Sequence, residues 1–323
     1  MHRRTTKNCQ LPFKHGFINP KPTKSSNHLA ATQKSLVATD VYIKEDNMRK
    51  SFVDILHSAQ FDVTTEFYRL KTLFYKQTIK YQPQNSIYIK NITLHDIINS
   101  WFALVSFRNN ALSLDDFDSA NDFTFSQYHS FVDIDYFVTF CEYLENIILD
   151  IQKKLPSDFW GVCNLIVQQI HNSIEKICYM ELKKDDLISY VPKNATAITA
   201  AEIIGDDDLS YNTIYYNHHS LSGDLEGKKE ILLKFANLYE SRKSEAKGVC
   251  DKVSENLSYA FNNFNIRHNN IDPASKSYQE FFAKLSEPEK EELYDDTYQL
   301  CLEFFIVLDN KDKIKKFEDI RRK

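Results

Sequence analysis

Two stretches of the chain place an arginine and polar amides at the end of an apolar helical segment: Phe107-Arg108-Asn109-Asn110, and Ile266-Arg267-His268-Asn269-Asn270-Ile271-Asp272-Pro273. An arginine fork can clamp a phosphate through charge-assisted hydrogen bonds. Histidine is the side chain whose unperturbed charge changes near neutral pH, so it can move a proton in the same chemistry. The candidate catalytic residues are therefore Arg267 and His268, with Asp272 as a poor stand-in for a further proton-moving group. Arg267, Asn269, Asn270, Arg108 and Asn109 are the candidate contacts to a phosphate-bearing ligand. The same residues admit a plainer role, in which Arg267 neutralises helix-end carbonyls while Asn269 and Asn270 make the turn before Pro273.

Other templates fail on spacing. Gly223-x-x-x-Gly227-Lys228 is one residue short of a phosphate-cradling loop and has Lys229 where a metal-binding Ser or Thr is needed. No Glu is followed by His three residues later, so a di-iron bundle is excluded, and no H-E-x-x-H or G-x-S-x-G occurs. His218-His219 with the acidic triplet Asp206-Asp207-Asp208 offers nitrogen and oxygen ligands, but adjacent histidines rarely converge. That region reads as a solvated loop, and the expected metal and cofactor content is none. The six cysteines, Cys9, Cys141, Cys163, Cys178, Cys250 and Cys301, never form C-x-x-C and read as buried reduced thiols.

The stretch around Arg267 follows a long apolar segment and precedes another helical pair. It resembles the signature region of HEPN proteins, helical bundles common in bacterial toxin and antiphage systems. In that family an Arg followed by Asn, Asp or His, with a further His after four to six intervening residues, forms a metal-independent ribonuclease site, usually across a dimer. Arg267-His268 matches the front of that motif, and the resemblance covers residues 225–310. It implies an RNA-associated protein of a phage-defence or toxin type, with RNA and a second copy of the chain as partners. The back of the motif is missing: the window after Arg267 holds Asp272, Pro273 and Ala274, and the window after Arg108 holds Ser113, Leu114 and Asp115. Asp272, as a carboxylate, is a weak proton acceptor and repels a phosphate. The expectation is a HEPN-like protein without its own nuclease activity, and any activity it had would be that of a metal-independent endoribonuclease. The alternative is a non-catalytic helical scaffold or regulatory module that binds another protein through an apolar helix face.

What must position these residues is a set of helices. Only 6 Gly and 8 Pro occur in 323 residues, too few for glycine-rich phosphate loops or many hairpins, while 23 Phe and 18 Tyr supply an aromatic interior. The formal charge is −5, unevenly spread: residues 1–39 carry seven basic and no acidic side chains, leaving 33 basic against 45 acidic in the rest. No apolar run is long enough for a membrane span or a secretory signal, so the expected location is cytoplasmic.

Apolar residues at three/four spacing predict helices from near Arg49 to before Pro83, from Thr93 onward behind a Thr93/Asp96 capping box, over 127–155 with Phe131 in the core, and from Ser157 to about Leu182. A long helix over 225–264, which Gly248 would split if it breaks there, a short one over 275–285, and a last one behind Ser286/Glu289 follow. The fold expected is an all-α multi-helix bundle in two helical groups. Its parts are a flexible, disordered basic arm (1–47), an N-terminal helical group (48–184), a loop-rich joint (185–224) with a short strand at Thr213-Ile214-Tyr215, the HEPN-like group (225–310) and a solvated charged tail (311–323).

Overall fold

The computed structural model describes residues 61–82 and 87–322. The arm over 1–47 and the helix expected to start near Arg49 lie outside the described residues up to position 60. The fold is mainly α, with twelve helices and two small two-stranded sheets among the described residues. In chain order the elements begin with α1 (Val63–Tyr75), β1 (Thr78–Tyr81), β2 (Lys90–Thr93), α2 (Leu94–Ser100), α3 (Leu114–Ala120), α4 (Ile134–Gln152) and α5 (Trp160–Lys176). They continue with β3 (Tyr179–Lys184), β4 (Leu187–Pro192), α6 (Ala195–Ile204), α7 (Asp207–Tyr215), α8 (Leu225–Arg242), α9 (Asp251–Asn263), α10 (Glu280–Ala283), α11 (Glu287–Asp309) and α12 (Lys311–Arg321).

Side-chain caps set the helix starts. Asp62 caps α1 by accepting from the Thr65 amide, and Asp133 caps α4 by accepting from the Tyr136 amide, each at 2.7 Å. The Thr93/Asp96 and Ser286/Glu289 capping boxes form as the sequence predicts. The helices bury two apolar clusters. The first gathers Phe67, Leu70 and Phe74 of α1, Phe137, Phe140, Leu144 and Ile148 of α4, and Cys163, Ile166 and Ile170 of α5. The second gathers Leu232 and Phe235 of α8, Leu257 and Phe261 of α9, and Tyr298, Leu302, Phe305 and Leu308 of α11.

Several expected boundaries are corrected. The supposed loop-rich joint is ordered: β3 and β4 form an antiparallel hairpin, turned by Asp185 and Asp186 in the left-handed region at φ 51° and 64°. Asn194 then caps α6, Gly205 ends it at φ 67°, and Asp206 caps α7 through the Leu209 amide at 2.8 Å. Thr213-Ile214-Tyr215 therefore lies in helix, not strand. Gly248, at φ 73°, does separate α8 from α9. The helix expected from Ser157 to about Leu182, α5, stops at Lys176 because β3 begins at Tyr179, and the helix expected over 275–285 shortens to α10. Phe131 precedes the Asp133 cap and is 75% exposed, so it leaves the core list. The charged tail carries α12, largely exposed.

One buried acid gives the fold a pH signature. Asp118 in α3 is 8% exposed, its Oδ1 has no hydrogen-bond partner, and burial pushes its carboxyl up to about 6. The folded state holds that proton more tightly than the unfolded chain, whose carboxyl titrates near ~3.9, so the Asp118 contribution to stability falls as pH rises from about 4 to about 6. Asp118→Asn should remove this loss. The difference in urea midpoint between variant and parent is expected to move in the variant's favour across that window, and a constant difference would contradict it.

Candidate functional site

The turn after α9 holds most of the residues singled out from the sequence, and it engages them in the fold. Arg267 is 16% exposed in its side chain; Nη1 donates to Glu240 Oε1 at 2.6 Å, Nη2 donates to the carbonyl of Ala236, and the guanidinium lies 5.3 Å from the centre of the Phe261 ring. Its fork is thus held by α8 and α9. Asn270 is fully buried and pins the turn: Oδ1 accepts from the Asn265 amide at 2.8 Å, and Nδ2 donates to the carbonyls of Asn262 and Ser277. Asp272 Oδ1 accepts from the Ala274 amide at 2.9 Å. His268 and Asn269 point outward and, with Lys229, Glu226 and Ile271, line an open concavity of about 420 Å³.

Arg108 serves its own loop, donating to the carbonyls of Ala111 at 2.7 Å and Ala103 at 3.2 Å, and Asn109 takes the left-handed region at φ 53°. Phe107 packs on the first cluster, whereas Phe261 beneath Arg267 belongs to the second. The two arginines therefore serve separate cores and build no common site.

A polar cluster that sequence reasoning set aside forms where the two cores meet. His218 is buried, 6% exposed, and not in a solvated loop. Its Nε2 lies 2.9 Å from Glu142 Oε1 of α4, a residue 76 positions away, while its Nδ1 lies 2.7 Å from Ser220 Oγ and 3.2 Å from the Ser220 amide. The β4 amide of Tyr190 also donates to Glu142 Oε1. His219 Nε2 sits 2.9 Å from Thr139 Oγ1, whose own proton goes to the Asp135 carbonyl, so the ring is the donor in that pair. The opposite nitrogen, Nδ1, is buried without a partner. Burial and the neighbouring His218 lower the His219 pKa, keeping the ring neutral. The acids expected beside these histidines do other work: Asp206 caps a helix, and Asp208 takes Lys184 and Lys234 at 2.7 Å each, which holds its carboxyl near about 2.

One turn along α4, Glu145 is 1% exposed and fully partnered, with His171 Nε2 at 2.7 Å on one oxygen and the Tyr190 hydroxyl on the other. Lys228, the lysine of the failed phosphate loop, is buried between Glu291 and Asp295 at 2.7 Å each. Cys141, Cys163, Cys250 and Cys301 are buried free thiols as expected, whereas Cys178 is disulfide-bonded; burial pushes Cys163 up to about 11, which disfavours the reactive thiolate. No helix among the described residues is long and apolar enough to cross a membrane.

A third feature is apolar. The starts of α1 and α4 lie side by side, joined by the Val132 amide donating to Thr64 Oγ1 at 3.2 Å. Between them opens a cleft of about 540 Å³ lined by Phe61, Val63, Phe131 and Ile134, with Asp62, Asp133 and Asp135 on its rim. The Thr65 hydroxyl and amide hold the Asp62 carboxyl below its usual range. Comparison of the chain with protein-family models, with curated proteins and with solved structures finds no match.

Proposed function

We propose that this protein is a non-catalytic helical binding module whose partner is a protein segment bearing both basic and apolar side chains. The cleft at the starts of α1 and α4 carries the reading. It pairs two strongly exposed large apolar side chains, Phe131 at 75% and Ile134 at 40%, with three carboxylates. The Lys176 ammonium lies 5.5 Å from the Phe61 ring centre. Apolar area provides the affinity of such a site and the acidic rim its preference for cations.

The test is titration of the full chain with a synthetic amphipathic helix carrying Leu on one face and Lys on the other, beside a twin in which Glu replaces Lys. The basic peptide should bind in the micromolar range, and Phe131→Asp should abolish binding without lowering the melting temperature, because Phe131 supports no core contact that folding requires. Equal affinity for the twins, or for the variant, would refute the reading.

A second reading retains the HEPN-like resemblance, as an RNA-associated module without nuclease activity. It is favoured by the concavity in which Lys229, His268 and Asn269 stand beside Arg267. Its phage-defence or toxin setting and its dimer rest on the resemblance alone. The acidic balance outside residues 1–39 weighs against strong RNA affinity.

A further inference from the structure

We propose that Glu142, His218 and His219 form a binding site for a divalent transition-metal ion, Zn²⁺ by its donor set, that ties the two cores together. The three residues each present a ligand atom, and these atoms lie within 4.8 Å of one another. A tetrahedral ion with bonds of about 2.0–2.2 Å needs its ligand atoms roughly 3.3 Å apart. The Glu142–His218 edge, at 2.9 Å, already has nearly that length. Two imidazoles and one carboxylate suit zinc and its first-row neighbours, and disfavour magnesium or calcium, which take oxygen ligands.

The hydrogen bonds behind the ligands are those a metal centre uses. Thr139 accepts the Nε2 proton of His219, which fixes the tautomer and leaves the lone pair of Nδ1 buried and unpartnered. A buried acceptor without a donor costs free energy, and a cation supplies what it lacks. His218 Nε2 now carries a proton toward Glu142; on metal binding that proton moves to Nδ1, where Ser220 Oγ at 2.7 Å accepts it and the Ser220 amide, which now donates to Nδ1 at 3.2 Å, gives up that bond. The ring stays neutral, and the Tyr190 amide keeps Glu142 in place. A concavity of about 320 Å³ borders both imidazoles. The neighbouring trio Glu145, His171 and Glu181 is also within reach of a common ion, but the Tyr190 hydroxyl holds one oxygen of Glu145 and both His171 and Glu181 are exposed, so it serves as the control.

Because α4 belongs to the first core and the turn at His219–Leu221 leads into the second, the ion acts as a clasp between them. The experiment is a Zn²⁺ titration of the chelator-treated full chain against a chromophoric competitor, with thermal melts and a Co²⁺ absorption spectrum. One ion per chain, a melting temperature raised by Zn²⁺, and a cobalt spectrum of nitrogen and oxygen ligation are expected. Glu142→Gln and His219→Ala should each weaken binding roughly 100-fold and abolish the thermal shift. His171→Ala should bind like the parent. Glu142→Gln is nearly isosteric, so its far-UV spectrum separates loss of binding from loss of fold. Absence of a bound ion, affinity unchanged in the folded variants, or a thiolate-to-cobalt charge-transfer band would overturn the proposal.

Discussion

Replacing Asn270 with alanine is expected to lower the unfolding free energy by about 3 kcal/mol. The Asn270 side chain is wholly buried and holds three backbone groups of the turn: the Asn265 amide and the carbonyls of Asn262 and Ser277. Alanine leaves all three without that partner, and each orphaned buried group costs about 1–3 kcal/mol, less whatever water entering the vacated space recovers. Asn265, held in the left-handed region at φ 57°, would keep only the bond from the residue-270 amide to its own side chain. Asn270→Asp should be no better, because it sets a second acceptor against the two carbonyls. Urea unfolding monitored by circular dichroism reads the loss, and a change below about 1 kcal/mol would mean that the turn is held by other contacts.

The second large effect is expected at Lys228. Its ammonium is 7% exposed and joins α8 to α11 through Glu291 and Asp295, each at 2.7 Å, with the Tyr216 ring 5.5 Å away. Glu291 also accepts from the Gly223 amide at 2.7 Å, and Asp295 from the Tyr216 hydroxyl at 2.9 Å, so both acids stay fixed if the lysine is removed. Breaking a buried pair by deleting one partner costs about 3–5 kcal/mol. Asp295 is 47% exposed, so the lower end of that range applies to Lys228→Ala. Lys228→Met combined with Glu291→Gln and Asp295→Asn should recover most of the loss, since no carboxylate is then left unpaired. Thermal melts of the single and triple variants check this; a triple variant no more stable than Lys228→Ala would contradict the ion-pair explanation.

The helices and their starts were legible in the sequence wherever the signal is local. Thr93/Asp96 and Ser286/Glu289 are capping boxes written in four residues, and the stripes of α4 and α11 repeat at helical spacing over many turns. The hairpin after α5 was not legible, because Ile174, Ile177 and Met180 follow one another at steps of three and carry the helical stripe past the true helix end, before Asp185 and Asp186 reverse the chain. The same limit governs the sites. Asn270 as a turn residue could be read from its neighbours before Pro273. The engagement of Arg267 by Glu240 and Ala236 depends on how α8 lies against α9, which no motif encodes. His218 and His219 were visible as a pair, but their carboxylate comes from α4, 76 residues from His218, and not from the nearby acidic triplet. They converge because they sit at the start of a tight turn, His219–Leu221, with their ring centres 4.2 Å apart.

With Arg267 engaged inside the fold by Glu240 and Ala236, the chain proposed to act by binding is expected not to cut RNA. The direct measurement is incubation of the purified full chain with labelled single-stranded RNA in the presence of a chelator, beside Arg267→Ala and His268→Ala. Cleavage no faster than the protein-free control is predicted for all three, with Arg267→Ala differing from the parent only in a lower urea midpoint, since it loses the Glu240 and Ala236 bonds and the Phe261 contact. Metal-independent cleavage by the parent that disappears in both variants would contradict the account and make the chain a ribonuclease.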